Sequence, residues 1–157
     1  MNWVPILPEA YFQTGNKTVF EKGKEWNFDY IKKLHIELEY YDETPIMNND
    51  FCYIINETLK EYLSEKNCDG FYFDEVVTTF DEQYENMDEE IPNLYWLKIT
   101  GKINNNDLFE KKFGRKDKAD LLMISEKVVK ILKEIDKEYY ELIRKSADQF
   151  IEELENS

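Results

Sequence analysis

Three side chains of this protein belong to the kinds that most often act as nucleophile or proton shuttle near neutral pH: His35, Cys52 and Cys68. A serine–histidine–acid relay, or a zinc site that uses histidine, needs that single histidine beside a nucleophile or further ligands. His35 lies in the alternating stretch Leu34 to Tyr41, on the same side as Glu37 and Glu39, and reads as a surface residue. Cys52 sits in an apolar run and reads as a small core residue. The two cysteines lack metal-ligand spacing and read as reduced thiols of a cytosolic protein. No glycine-rich phosphate loop is present. Glu110-Lys111-Lys112 has the Glu-any-Lys spacing of some metal-dependent nucleases, but a net charge of -14 opposes a nucleic-acid substrate. The run from Asp81 to Glu90 lacks the central glycine of a calcium loop. Carboxylates are so common that any pair can be nominated as acid and base, and none is singled out. The expectation is a protein with no catalytic residues, no bound metal and no cofactor.

What the carboxylates do have is a place. Between Lys66 and Lys98 there is no Lys or Arg in 31 residues, and nine acids: Asp69, Asp74, Glu75, Asp81, Glu82, Glu85, Asp88, Glu89 and Glu90. The remaining 126 residues therefore carry only -14 + 9 = -5. Like charges repel, so a fold has no need of such crowding. A one-signed surface does attract a partner of the opposite sign and speeds encounter. Asp81, Glu82, Glu85, Asp88, Glu89 and Glu90 are the expected partner-binding acids, with Tyr84 among them as an aromatic anchor. The plainer alternative is a solvated loop that keeps an aromatic-rich chain soluble. The same acidity argues against binding nucleic acid or an anionic membrane.

The elements that must position these residues follow from hydropathy. A length of 157 residues, 42% hydrophobic and 15% aromatic, suits a single domain over 1–157 with a real core. Trp3 to Leu7 and Thr18 to Glu21 read as short strands, with Gly15-Asn16 as a turn. In the strand from Leu34 to Tyr41, Leu34, Ile36, Leu38 and Tyr40 form the inward set. Gly70 to Thr79 and Leu94 to Thr100 read as two further strands. Phe71, Tyr72, Phe73, Tyr95 and Trp96 read as core. Asp81 to Glu90 reads as a loop or short frayed helix, and Gly101 to Lys118 as a polar excursion holding the one basic cluster. An echo links Ile54-Ile55-Asn56-Glu57 to Met123-Ile124-Ser125-Glu126 at an offset of 69. In each copy a buried strand runs into a residue able to cap a helix, and a glutamate follows in the first turn. Helices are expected over about 56–66 and 126–155, the second with a candidate break near Asp136. The fold class is α+β, a mixed or mostly antiparallel sheet of about five or six strands packed with helices, the last of them long.

Asp69-Gly70-Phe71-Tyr72-Phe73-Asp74-Glu75-Val76, the strand Tyr95 to Ile99, and Leu122-Met123-Ile124-Ser125-Glu126-Lys127 resemble immunity proteins of bacterial polymorphic toxin systems, over about residues 50–135. That resemblance implies a small cytoplasmic protein that binds and neutralises a cognate toxin. It carries over no binding residues, so the interface assignment rests on charge. The partner expected is a basic protein, with no membrane contact, since no run of about 18 apolar residues and no signal peptide is read in the chain. The alternative is an acidic mimic of nucleic acid that inhibits a DNA-handling protein, which requires carboxylates in spaced rows over an extended face.

Overall fold

A computed structural model of the chain describes residues 2–49, 52–83, 90–113 and 120–156. In chain order the strands are β1 (Trp3–Ile6), β2 (Phe12–Thr14), β3 (Val19–Phe20), β4 (Ile31–Leu38), β5 (Ile46–Asn48) and β6 (Tyr53–Asn56), then β7 (Phe71–Phe80), β8 (Leu94–Ile99), β9 (Leu108–Lys112) and β10 (Asp120–Ser125). Helix α1 (Glu57–Glu65) follows β6, helix α2 (Glu126–Glu155) follows β10, and a 3-10 turn covers Phe28–Tyr30. The fold is α+β with mostly antiparallel sheets and a long C-terminal helix. There are two sheets and ten strands among the described residues, where one sheet of five or six strands was expected. Contacts divide the chain into two compact units: Met1–Pro8, Thr58–Tyr72 and Lys98–Ser157 form one, Glu9–Glu57 and Phe73–Leu97 the other. No helix among the described residues is long and apolar enough to cross a membrane.

The first unit holds the three-stranded antiparallel sheet in the order β1-β10-β9, with α2 against β1 and β10. Its core is Ile6, Leu108, Phe109, Leu121 to Ile124 and the inner stripe of α2. Strand β9 lies inside the stretch read as a polar excursion. Leu108 and Phe109 are its only apolar residues, too few to display a period. Helix α2 breaks where the sequence offered a break. Asp136 has non-helical backbone angles (φ -159, ψ 91), and its carboxylate accepts the Tyr139 N–H at 3.1 Å, capping the helix that resumes. The buried stripe resumes on Tyr140, Ile143 and Ala147, and Leu142 is exposed.

The second unit holds most of the seven-stranded sheet, ordered β2-β4-β7-β8-β6-β5, with β3 also paired to β4. Strands β4 and β7 run parallel, from Leu34 opposite Val76 to Leu38 opposite Phe80. Phe12, Leu34, Ile36, Leu38, Met47, Cys52, Ile54, Leu94 and Trp96 make its core. Strand β4 stops at Leu38, so the expected alternation fails beyond it: Tyr40 is exposed against the ring of Tyr11, and Tyr41 packs on the core. Strand β7 also departs from expectation. It lies between β4 and β8, yet none of its ten residues is buried, and Tyr72 is half exposed. Of the aromatics read as core, Trp96 is buried, while Phe71, Phe73 and Tyr95 are only partly so.

Candidate protein-binding surface

Strand β7 leads directly into Asp81 and Glu82, the first two acids of the run, in the second unit. Its ladder with β4 continues one step past the strand, where the Asp81 N–H donates to the Leu38 carbonyl at 2.8 Å. Asp81 is thereby placed at the end of the parallel pair, and its carboxylate accepts the Gln83 N–H at 2.9 Å, which turns the chain. Gln13 on β2 donates its amide to Asp81 at 2.8 Å and, more weakly, to Glu37 at 3.4 Å. One neutral amide thus spans two carboxylates with no cation between them. Glu37 was passed over in the sequence because it stands 44 residues before Asp81. The clue available was its place on the polar side of β4.

Glu75, Glu82 and Glu90 are exposed and Asp81 is partly so. Among the described residues none of these four is in an ion pair. Two apolar side chains stand out beside them in the sequence: Val77, 50% exposed, and Ile91, 51% exposed. Of the seven expected partner-binding residues, Asp81, Glu82 and Glu90 are therefore at the surface. Tyr84, Glu85, Asp88 and Glu89 lie outside the described residues.

His35 is not the surface residue its strand position implied: only 2% of it is accessible. The turn after β2 covers it. Gly15 N–H donates to the His35 carbonyl at 2.8 Å, and the Thr18 hydroxyl accepts the His35 N–H at 3.0 Å. The ring is fully engaged as well. Nδ1 accepts the Lys17 N–H at 3.1 Å, so in the neutral ring the proton sits on Nε2, which donates to Thr79 Oγ1 at 2.8 Å. Burial holds its pKa below the ordinary histidine value, aided by Lys17 and opposed by Glu37. A Cβ on Gly15 would lie 2.0 Å from Nδ1, so the turn closes over the ring only because that residue is glycine. With both nitrogens occupied and the ring covered, His35 has no free position for a substrate.

The first unit contains a buried polar cluster of its own, beside a cleft of about 470 Å³. Asp107 accepts the Ser125 hydroxyl at 2.7 Å on one oxygen. On the other it accepts the Asp69 N–H at 3.0 Å and faces the Lys127 ammonium at 3.7 Å. Asp69 returns the bond by accepting the Asp107 N–H at 2.8 Å. Ser125 in turn accepts the Val128 N–H at 3.4 Å as the N-cap of α2, as expected. Serine, aspartate and lysine converge here, but the hydroxyl is buried and is spent on a cap and a carboxylate. Asn56 directly precedes α1, and its amide donates to the Glu43 carbonyl at 3.2 Å.

Neither thiol is poised for attack. Both cysteines are free. Burial pushes Cys52 up to about 12, and burial together with Asp107 pushes Cys68 up to about 11. Glu110 is raised above the usual carboxylate range by desolvation and by neighbouring Asp120. Among the described residues no group of three His, Cys, Asp or Glu side chains is placed to hold a metal ion. No protein-family model matches the chain, and no curated protein and no solved structure matches it.

Proposed function

We propose that this protein acts by stoichiometric binding, as an immunity-type inhibitor that neutralises a basic bacterial toxin in the cytoplasm. The observation that carries this reading is the set of surface carboxylates Glu75, Asp81, Glu82 and Glu90, without ion pairs among the described residues, next in sequence to half-exposed Val77 and Ile91. Interfaces of this kind use charge for rate and selectivity and apolar groups for lifetime. The reactive side chains favour it as well, since His35, Ser125 and both cysteines are engaged within the fold or held unreactive.

The test is a search of the neighbouring genes for a secreted protein with a toxic C-terminal domain, then co-expression with that domain and binding kinetics at two salt concentrations. The protein is expected to restore growth and to bind one to one. Replacing Asp81, Glu82, Glu85, Asp88, Glu89 and Glu90 together by Asn and Gln is expected to slow association. It should also flatten the salt dependence, because exposed charges act over about 8–10 Å at physiological ionic strength. Folding stability should hold or rise as repulsion is removed. Tyr84→Ala should instead speed dissociation. A six-fold variant that associates at the wild-type rate in low salt makes the run a solubility feature.

A further inference from the structure

The imidazole of His35 lies under a bulge in the second unit. Strands β2 and β3 both pair antiparallel with β4, Thr14 opposite Ile36 and Val19 opposite Lys33. Between those pairs four residues, 15–18, stand against two, Leu34 and His35, so the surplus bows out over the ring. The bulge is Gly-Asn-Lys-Thr, with no apolar side chain, and Asn16 and Lys17 are exposed. Hydrogen bonds must therefore hold it. Gly15 N–H donates to the His35 carbonyl at 2.8 Å, and the Thr18 hydroxyl accepts the His35 N–H at 3.0 Å. Thr18 N–H reaches the Gly15 carbonyl at 3.3 Å. None of these groups titrates near neutral pH. The fourth bond does end on such a group: Lys17 N–H donates to His35 Nδ1 at 3.1 Å.

Nε2 already holds the proton of the neutral ring and shares it with Thr79 Oγ1 at 2.8 Å. A second proton has to enter at Nδ1. It turns the acceptor of the Lys17 N–H into a donor, and two N–H groups then face each other. The bond to β7 survives, so the whole loss falls on the bulge. Burial opposes this proton most, Lys17 opposes it as well, and Glu37, two residues along β4, favours it. The other charged residues nearby are Lys33 on β4, and Glu75 and Asp81, two before and four after Val77, the residue of β7 opposite His35. Strands β2 and β3 carry no charged residue.

We propose that the bulge over residues 15–18 is an acid-released latch: a proton on His35 Nδ1 expels the Lys17 N–H, and the bulge lifts off β4 while the sheet beneath stays folded. This goes beyond the proposed binding function and does not depend on it. With the latch open the ring meets water and takes the proton at its ordinary pKa, near 6.5. With the latch closed it does so only at lower pH. Acid therefore favours opening, by up to about tenfold for each pH unit between the two values. Opening frees the His35 N–H and carbonyl, a piece of β4 edge able to pair with another strand.

The test is NMR on the full chain. Long-range nitrogen–proton spectra at pH 7.5 are expected to show the Nε2–H tautomer of His35, and the Nδ1–H tautomer would overturn the proposal. Amide exchange of Lys17, corrected for its intrinsic rate, is then followed from pH 7 to pH 5. Its protection should fall by up to about tenfold per unit. At each pH it should ignore low urea, because a local opening exposes little surface, whereas amides of β6 should respond. Protection of Lys17 that is flat with pH, or that follows urea as β6 does, would overturn the proposal. His35→Asn keeps an acceptor near the Nδ1 position but takes no proton, so in that variant Lys17 protection should lose its pH dependence. A slope that persists there would assign the effect to another group.

Discussion

Among the described residues each unit holds a buried polar centre, Asp107 in the first and His35 in the second, and the two are satisfied by opposite means. Around Asp107 the first unit gathers donors to a buried carboxylate: a hydroxyl, a backbone N–H and an ammonium. Around His35 the second unit keeps a neutral ring and matches each nitrogen to one partner of the right sense. Glycines admit both arrangements. Gly70 and Gly101 let the chain close against the Leu108 carbonyl, where a Cβ would come within 2.2 and 1.8 Å, and Gly15 makes room for the imidazole. The difference shows that burying a polar group depends less on its charge than on whether every donor and acceptor around it is met. It also predicts different failures: the first cluster should respond to loss of an acceptor, the second to added volume or an added proton.

The largest effect is expected from Asp107→Ala. It leaves the Ser125 hydroxyl and the Asp69 N–H without their acceptor, each costing about 1–3 kcal/mol when buried, so a loss of about 2–6 kcal/mol should appear in urea unfolding. Asp107→Asn keeps a carbonyl acceptor and should lose less. Equal losses for the two would mean that the Lys127 charge, and not the hydrogen bonds, holds the cluster.

Gly15→Ala should cost about 1–3 kcal/mol through overlap with the imidazole. Paired with His35→Ala, the same change should add less than about 0.5 kcal/mol, because the ring it strikes is gone. An unaltered cost in that background would place the strain in the turn itself.

Ser125→Ala removes a helix cap and one donor to Asp107, for about 0.5–2 kcal/mol, and Asn56→Ala should fall in the same range. In an Asp107→Ala background the Ser125 effect should shrink, because Ser125 donates to Asp107, while that of Asn56, which donates to Glu43, should stay. Chemical denaturation of the single and double variants decides this.

The smallest effect is the proton. The unfolded chain protonates His35 near pH 6.5. The folded pKa is lower, so between the two values the unfolded state binds more protons. Stability is then full above about pH 6.5 and falls as the pH drops towards the folded pKa, by up to about 1.4 kcal/mol per unit of depression. The difference between the stability–pH curves of wild type and His35→Gln isolates this from the carboxylates. Parallel curves between pH 5 and 7 would show that the ring is not kept neutral.

How much of this was legible depends on how far away the deciding residue lies. Ser125 announces a cap because the bond it accepts comes from Val128, three residues on. Asp136 betrays a break because an aspartate inside an apolar stripe caps a helix better than it continues one. The ends of α1 and α2, and the α+β class, are local in the same sense. His35 was misread because its cover, Gly15 to Thr18, is some 17 residues away, and the bonds it makes, from the Lys17 N–H and with the Thr18 hydroxyl, leave no mark on the alternation along β4. Strand β9 was missed because its partner β10, not its own composition, makes it a strand. The acidic run was legible as charge alone. Its extension to Glu37 through Gln13 needed the register of β2 on β4 and of β4 on β7.

From the residues in order one can read what short-range physics controls: the helices, the Ser125 cap, most strands, the free thiols and the concentration of negative charge. Only the folded chain decides which polar residues are buried and that a central strand carries no buried residue. The reason is physical. Hydrogen bonds between near neighbours and the period of apolar side chains are written along the chain, whereas burial is conferred by whatever segment folds across it.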